Sequence, residues 1–257
     1  MTFYNKNQNL LNTLIEQMEI FGNDLFISKE ELIPSFSSKN YVLENQPLKV
    51  SDSNESFLFE AEDDLWSNAK DLNDLYSKIN TCTKCELHKN RTNFVFGSGN
   101  PNSDVMIIGE GPGAEEDIQG LPFVGRAGML LTDILKAIKF SRDEVYIANI
   151  VKCRPPNNRT PFQDEMNTCL PYLKKQIELI QPKLILCLGL TAAKGLLGKK
   201  DSLTSLRGKI FNFNNSIKVM VTFHPAALLR NPGWKRDCWK DVQEFRKLYD
   251  EIKSNSN

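Results

Sequence analysis

Residues Val105–Leu131 read VMIIGEGPGAEEDIQGLPFVGRAGMLL, and the changes of pattern inside this stretch decide the fold. Val105–Ile108 is an unbroken apolar run with the length and bulk of a strand buried in a parallel sheet. It stops at Gly109, and the loop that follows is too rich in Gly and Pro for regular structure. That loop carries three consecutive carboxylates, Glu115, Glu116 and Asp117, and one aromatic ring, Phe123, between Pro122 and Gly125. After Gly128 the period becomes helical, with Met129, Leu130, Ile134, Leu135 and Ile138 spaced for one buried face. Carboxylates and a ring on a long loop at the carboxyl end of a strand mark the place where α/β folds build ligand sites.

Working outward, the alternation continues. Strand runs are expected at 145–149, 183–189 and 217–223, with a further one near 209–213, and helices over 127–140, 191–198 and about 237–252. Another helix is marked at Thr160, with Pro161 at its first position and Gln163 placed to close a capping box. This order predicts a three-layer α/β/α sandwich on a mainly parallel four-stranded sheet with right-handed crossovers. Upstream, a helix is expected over 67–80, with Leu72, Leu75, Tyr76 and Ile79 on one side. Residues 1–75 read as an acidic, partly disordered extension, with an amphipathic helix over Leu10–Phe21 and a Ser/Asn/Glu-rich linker around 35–64. Residues 76–257 then form the folded body.

The charges sum to zero, but they are split. Residues 1–75 hold 14 acidic and 5 basic side chains, so the remainder carries a net charge of +9. A body of that sign suits a polyanionic partner such as DNA. The acidic extension is a candidate tether for a protein partner. No apolar stretch is long enough to span a membrane, and MTFYNKNQN lacks the blocks of a secretory signal. Six cysteines without an export signal point to a reducing, cytoplasmic setting and to metal ligation over disulfides. Cys82 and Cys85 form a CxxC pair, and Cys153 and Cys169 supply two more thiols; such a set serves tetrahedral zinc or an iron–sulfur cluster, and spacing alone does not separate them. Cys187, mid-strand, and Cys238 read as packing residues, and Trp234 and Trp239 likewise.

Two polar residues stand at expected strand ends. His224 follows VMVTF and precedes Pro225, the place of a hydrogen-bond donor at the sheet edge. Asn149 ends its own strand, and its amide offers one donor and one acceptor face. Phe123 offers a flat surface for a base.

The Val105–Leu131 stretch, together with NIVKCRPPNNRTP (149–161), LILCLGLTAAKGLLG (184–198) and TFHPAALLRNP (222–232), resembles the family 4, iron–sulfur branch of the uracil-DNA glycosylases. The resemblance spans roughly residues 80 to 250. It implies a monomeric, monofunctional glycosylase that hydrolyses the N-glycosidic bond of uracil in DNA to leave an abasic site in base excision repair. It also implies a [4Fe–4S] cluster on Cys82, Cys85, Cys153 and Cys169. By the same resemblance His224 contacts uracil, and Glu110 and Glu116 occupy the family's pocket positions, with the backbone N–H of Gly111 on a uracil oxygen. The attacking water is then held by Glu116 or by backbone. Leu228 falls at the wedge position that fills the gap left by an extruded base, with Arg230 on a phosphate. Asn149 would read uracil's O4 and N3–H, and Phe123 would stack on the ring.

Other readings fit less well. GEGPGAEED lacks dinucleotide-binding glycine spacing. CRPPNNRTP holds no histidine for the covalent attachment to DNA that one branch of the superfamily uses, so turnover is expected. A non-catalytic DNA- or polymerase-binding module of the same fold is the rival from a different class.

Overall fold

The computed structural model describes residues 65–214 and 216–255. The helix expected over Leu10–Phe21 and the linker around 35–64 lie outside the described residues. The elements, in chain order, are α1 (Leu72–Ile79), β1 (Ser98–Gly99), β2 (Val105–Gly109), α2 (Ala114–Gln119), α3 (Arg126–Ala137), β3 (Tyr146–Asn149) and α4 (Gln163–Ile180). They are followed by β4 (Leu184–Leu188), α5 (Leu190–Leu197), α6 (Leu203–Leu206), β5 (Ile210–Phe213), β6 (Ile217–Thr222), α7 (Pro225–Arg230) and α8 (Lys235–Ser254).

The strands form one sheet in the order β1-β3-β2-β4-β6-β5. The four central strands are parallel, as expected, while β1 and β5 pair antiparallel at the two edges, making six strands where four were expected. β1 escaped the sequence pattern because it is two residues long and held by glycine. Gly99 has φ +118°, and a Cβ there would meet the Val145 carbonyl at 2.0 Å.

Alternation along each central strand divides the core into two layers. Met106, Ile108, Ile185, Cys187, Val219 and Val221 face α1, α4 and α5 through Leu75, Ile79, Leu173, Ile177 and Ala192. Val105, Ile107, Leu184, Leu186 and Met220 face α3 and α8 through Leu131, Leu135, Val242 and Phe245. The three-layer sandwich is therefore the observed fold. Ala69 and Leu75 are buried and Trp66 packs on the first layer, so the packed body begins before residue 76.

Local readings shift in three places. Helix α4 starts at Gln163 rather than Pro161, because the Glu165 side chain, not Gln163, reaches back to accept from the Phe162 N–H (2.7 Å). The Gly/Pro loop contains the helical turns of α2, whose backbone is closed by the Gly120 C-cap at φ +71°. Met129 is exposed while Leu130, Leu131, Ile134 and Leu135 form the buried face of α3.

β2 is central, with β3 on one side and β4 on the other, so successive crossovers leave its carboxyl end in opposite directions. In an open α/β sheet a ligand crevice opens at such a switch point, outside the carboxyl ends of the strands.

Candidate active site

The crevice is a cavity of about 370 Å³ at that switch point, a size suited to a small ring system. Glu110, Gly111, Glu116, Phe123, Asn149, His224 and Arg230 all line it. They come from three separate segments, and the sheet register brings them together. Gly109 and Asn149 are paired at the ends of β2 and β3, and His224 follows two residues after β6.

Glycines set the close approaches. A Cβ on Gly109 would meet Asn149 Oδ1 at 2.4 Å and the Phe123 ring at 2.5 Å, so only glycine lets amide and ring share the floor. Phe123 itself has φ +54°, an outlying conformation for an aromatic residue. It is held there by packing of its backbone on Gly128, where a Cβ would lie 2.0 Å from the Phe123 carbonyl, and by Arg142 donating to the Pro122 carbonyl. The Phe123 and His224 rings lie 5.5 Å apart at 33°.

Asn149 is 1 % exposed, and its Oδ1 has no hydrogen-bond partner among the described residues. A buried amide left open in a cavity is costly unless something binds it. His224 Nδ1 accepts from the Ala226 N–H (3.1 Å), which leaves the ring proton on Nε2. Burial first, then the charge of Arg230, holds the imidazole down to about 4 against the opposing pull of Glu116. The ring is neutral at pH 7 and presents an N–H.

The carboxylates divide. Glu116 spends both oxygens on the loop. Its Oε2 accepts from Gly113 N–H (3.1 Å), and its Oε1 accepts from Val124 and Gly125 N–H (2.9 Å each). Glu110 lines the cavity and its carboxylate engages no described residue. Asp117 is 2 % exposed; its Oδ1 accepts from Thr92 (2.9 Å) and Asn93 (3.2 Å) N–H and ties α2 to the segment before β1.

Leu228 is not at the surface. It has 0 % exposure and packs in the layer with α3, because it is three residues along α7 from Pro225, on the inward face. The exposed apolar side chain of α7 is its neighbour Leu229, 39 % exposed, next to exposed Arg230. Sequence reasoning also missed Asn158, Arg159 and Thr160 at the cavity's other lip. Their signal was CRPPNNRTP, whose Asn157 and Asn158 take φ +55° and +54° to turn the chain over the opening.

The cysteines lie behind β3. None of the six is in a disulfide. Arg91 donates to Cys153 Sγ (3.1 Å) and to the Cys82 carbonyl (2.8 Å), the Lys152 N–H donates to Cys169 Sγ (3.3 Å), and the Tyr172 hydroxyl lies 3.3 Å from Cys82 Sγ. Among the described residues no three His, Cys, Asp or Glu side chains converge as tightly as a single metal ion requires. Burial pushes the Cys169 thiol up to about 12, so a cationic centre would be needed to hold it as thiolate. Lys152 is fully buried. Its Nζ donates to the Asn149 carbonyl (2.9 Å) and Gln176 Oε1 (2.6 Å), both neutral. An ammonium so placed calls for a nearby negative charge, and thiolates at Cys169 and Cys153 are the anions in reach. The donor set therefore fits an anionic cysteine-ligated cluster. Cys187 and Cys238 are buried in the core layers, Trp239 is buried, and Trp234 stacks on Phe223 at 5.1 Å. His88 is partly buried, with Nδ1 2.7 Å from the Cys85 carbonyl.

Residues 96–252 match the model of the family described as the uracil DNA glycosylase superfamily. The chain is 52 % identical over 172 residues to a type-4 uracil-DNA glycosylase of Thermotoga maritima, covering 66 % of this chain and 90 % of that protein. Similar matches are to proteins of the same name from Pyrobaculum aerophilum (45 % over 182 residues; 68 % and 93 % covered) and Archaeoglobus fulgidus (40 % over 184; 69 % and 92 %).

Proposed function

The chain belongs to the type-4 uracil-DNA glycosylases of the uracil DNA glycosylase superfamily, and from that membership we propose that it hydrolyses the N-glycosidic bond of uracil in DNA, leaving an abasic site in an uncut strand. Asn149 carries the reading. A buried amide whose oxygen is unpartnered, beside an aromatic ring and a neutral imidazole N–H, matches a flat, uncharged ring with an amide-like edge.

The roles follow from the geometry. The base leaves the stack and enters the cavity against Phe123. Asn149 donates to O4 and accepts from N3–H; cytosine offers the reverse pattern there and is refused. As the C1′–N1 bond breaks, its electron pair moves onto uracil, and the His224 Nε2–H stabilises the oxygen that gains charge. Water adds to C1′ and yields its proton to the free Glu110 carboxylate, which is the better candidate because Glu116 is occupied with backbone N–H groups. Glu116 thus shapes the loop, and the Gly111 N–H lies along the cavity wall as a further donor. Leu229, rather than Leu228, fills the vacated stack, with Arg230 on a phosphate.

Cys82, Cys85, Cys153 and Cys169 would hold a [4Fe–4S] cluster, which supplies a covalent clamp and no step of hydrolysis. Lys152 connects that clamp to the site, since its ammonium fixes the carbonyl of Asn149. The protein acts as a cytoplasmic monomer, and a protein partner would engage the acidic residues 1–64. No helix of the described residues is long and apolar enough to cross a membrane.

The test uses anaerobically purified protein, wild type and His224→Ala, on a uracil-containing oligonucleotide followed by hot alkali, with iron assayed in the same samples. Alkali-dependent cleavage that the variant loses is expected. Folded, iron-loaded wild type that leaves the oligonucleotide intact would replace the enzyme by the non-catalytic binding module.

A further inference from the structure

Phe162 stands just before α4 at the N-cap, a position where helices favour Ser, Thr, Asp or Asn. Here the cap's own N–H is served by Glu165, and the position is given instead to a large ring that is 59 % exposed. One face of that ring is covered by the Arg159 guanidinium, 3.8 Å from its centroid. Arg159 is in turn held rigid by two hydrogen bonds to the buried Glu165 (2.8 and 2.6 Å) and lines the mouth of the catalytic cavity. The result is a fixed two-layer plate, guanidinium on phenyl, joined to the cavity lining through Arg159. Its outer face is apolar and bare.

We propose that this plate is a stacking subsite for a nucleobase adjacent to the extruded uracil on the same strand. The inference rests on the reading of the cavity as a uracil pocket. Extrusion deprives the neighbouring bases of a stacking partner, and every base presents a π-face that an aromatic ring accepts without regard to sequence. Arg230 on α7 and Arg159 of the plate both line the opening. Because Glu165 neutralises Arg159, the plate binds through its face rather than its charge. Its contribution is therefore independent of salt, unlike that of phosphate contacts.

The test is a double-mutant cycle. Single-stranded oligonucleotides carrying non-hydrolysable 2′-fluoro-deoxyuridine are prepared intact, or with an abasic spacer in place of the 5′ or the 3′ neighbour. Binding is measured for wild type and Phe162→Ala at low and high salt, with Phe162→Trp as the conservative variant. Loss of the ring should weaken binding of the intact strand roughly tenfold, about 1.4 kcal/mol, at both salt concentrations. One spacer should cost wild type a similar factor and cost Phe162→Ala nothing; Phe162→Trp should behave as wild type. Single-turnover cleavage of saturating uracil substrate should stay within about twofold, since the ring does not touch the reacting atoms. Equal affinity of wild type and Phe162→Ala, or spacer effects unchanged by the variant, would overturn the subsite while leaving the glycosylase reading in place. A wild type that cleaves no uracil strand would remove both.

Discussion

At the scale of single residues, the site depends on groups whose environment is unusual for their type. Asn149 is buried with an open acceptor, so its side chain contributes little to folding and much to recognition. Asn149→Ala is expected to lower kcat/KM for uracil DNA by about a hundredfold (roughly 2.7 kcal/mol) while shifting unfolding free energy by no more than about 1 kcal/mol. Urea unfolding beside kinetics would separate the two, and a large stability loss would make the amide a structural residue. His224 carries a second prediction. With its imidazole held down to about 4, the neutral donor persists across pH 5–8, and the acid limb of kcat/KM attributable to it should fall near pH 4. The sign for stability follows. The unfolded chain takes up a proton at the ordinary value of 6.5 that the folded ring refuses, so this residue's contribution is full above 6.5 and is lost as pH falls towards 4. An acid limb near 6.5 that disappears in His224→Gln would mean a solvated ring, not a buried donor.

At the scale of elements, the loop between β2 and α3 is a construction of carboxylate on backbone. Glu116 gathers three N–H groups from its two ends, and Gly128 lets α3 close on Phe123. Glu116→Gln should therefore cost about 1–3 kcal/mol and speed hydrogen exchange at Val124 and Gly125. Glu110→Gln should leave exchange unchanged and slow single-turnover cleavage instead. If the two variants traded these phenotypes, the division of labour between the carboxylates would be reversed. Most of this element was legible beforehand. The apolar run of β2, the glycine stop and the helical period of α3 are one-dimensional signals, and they placed Glu110, Phe123 and Asn149 at one sheet edge. What pattern did not show was partnership. Glu116 and Asp117 look alike in sequence, and only the fold reveals that each is consumed by N–H groups from other segments. Leu228 and Leu229 are likewise adjacent leucines, and the phase of a six-residue helix decides which is buried. Phe162 sits in phase with the apolar face of α4, and periodicity cannot tell that the helix begins one residue later.

At the scale of the whole molecule, the charge split predicts an effect on DNA binding. Residues 1–64 hold 12 acidic and 4 basic side chains, tethered to a body of opposite sign. The total of zero would suggest indifference to DNA, yet the segment 199–240 alone carries nine Lys and Arg against two Asp, and it includes α7 and Arg230 at the cavity mouth. A tethered acidic chain is a local competitor for the same surface, and its effective concentration is set by the tether rather than by dilution. It would suppress loose binding to undamaged DNA more than binding of an extruded uracil, since only the first rests almost wholly on phosphate contacts. Removing residues 1–64 should accordingly tighten the Kd for undamaged duplex several-fold at low salt. The difference should vanish at high salt, where screening shortens the reach of both competitors. The Kd for the 2′-fluoro-deoxyuridine strand should change less. Equal affinities of full-length and truncated protein for undamaged DNA across a salt series would leave the extension without a role on DNA, and the acidic segment would then have to act on a separate protein.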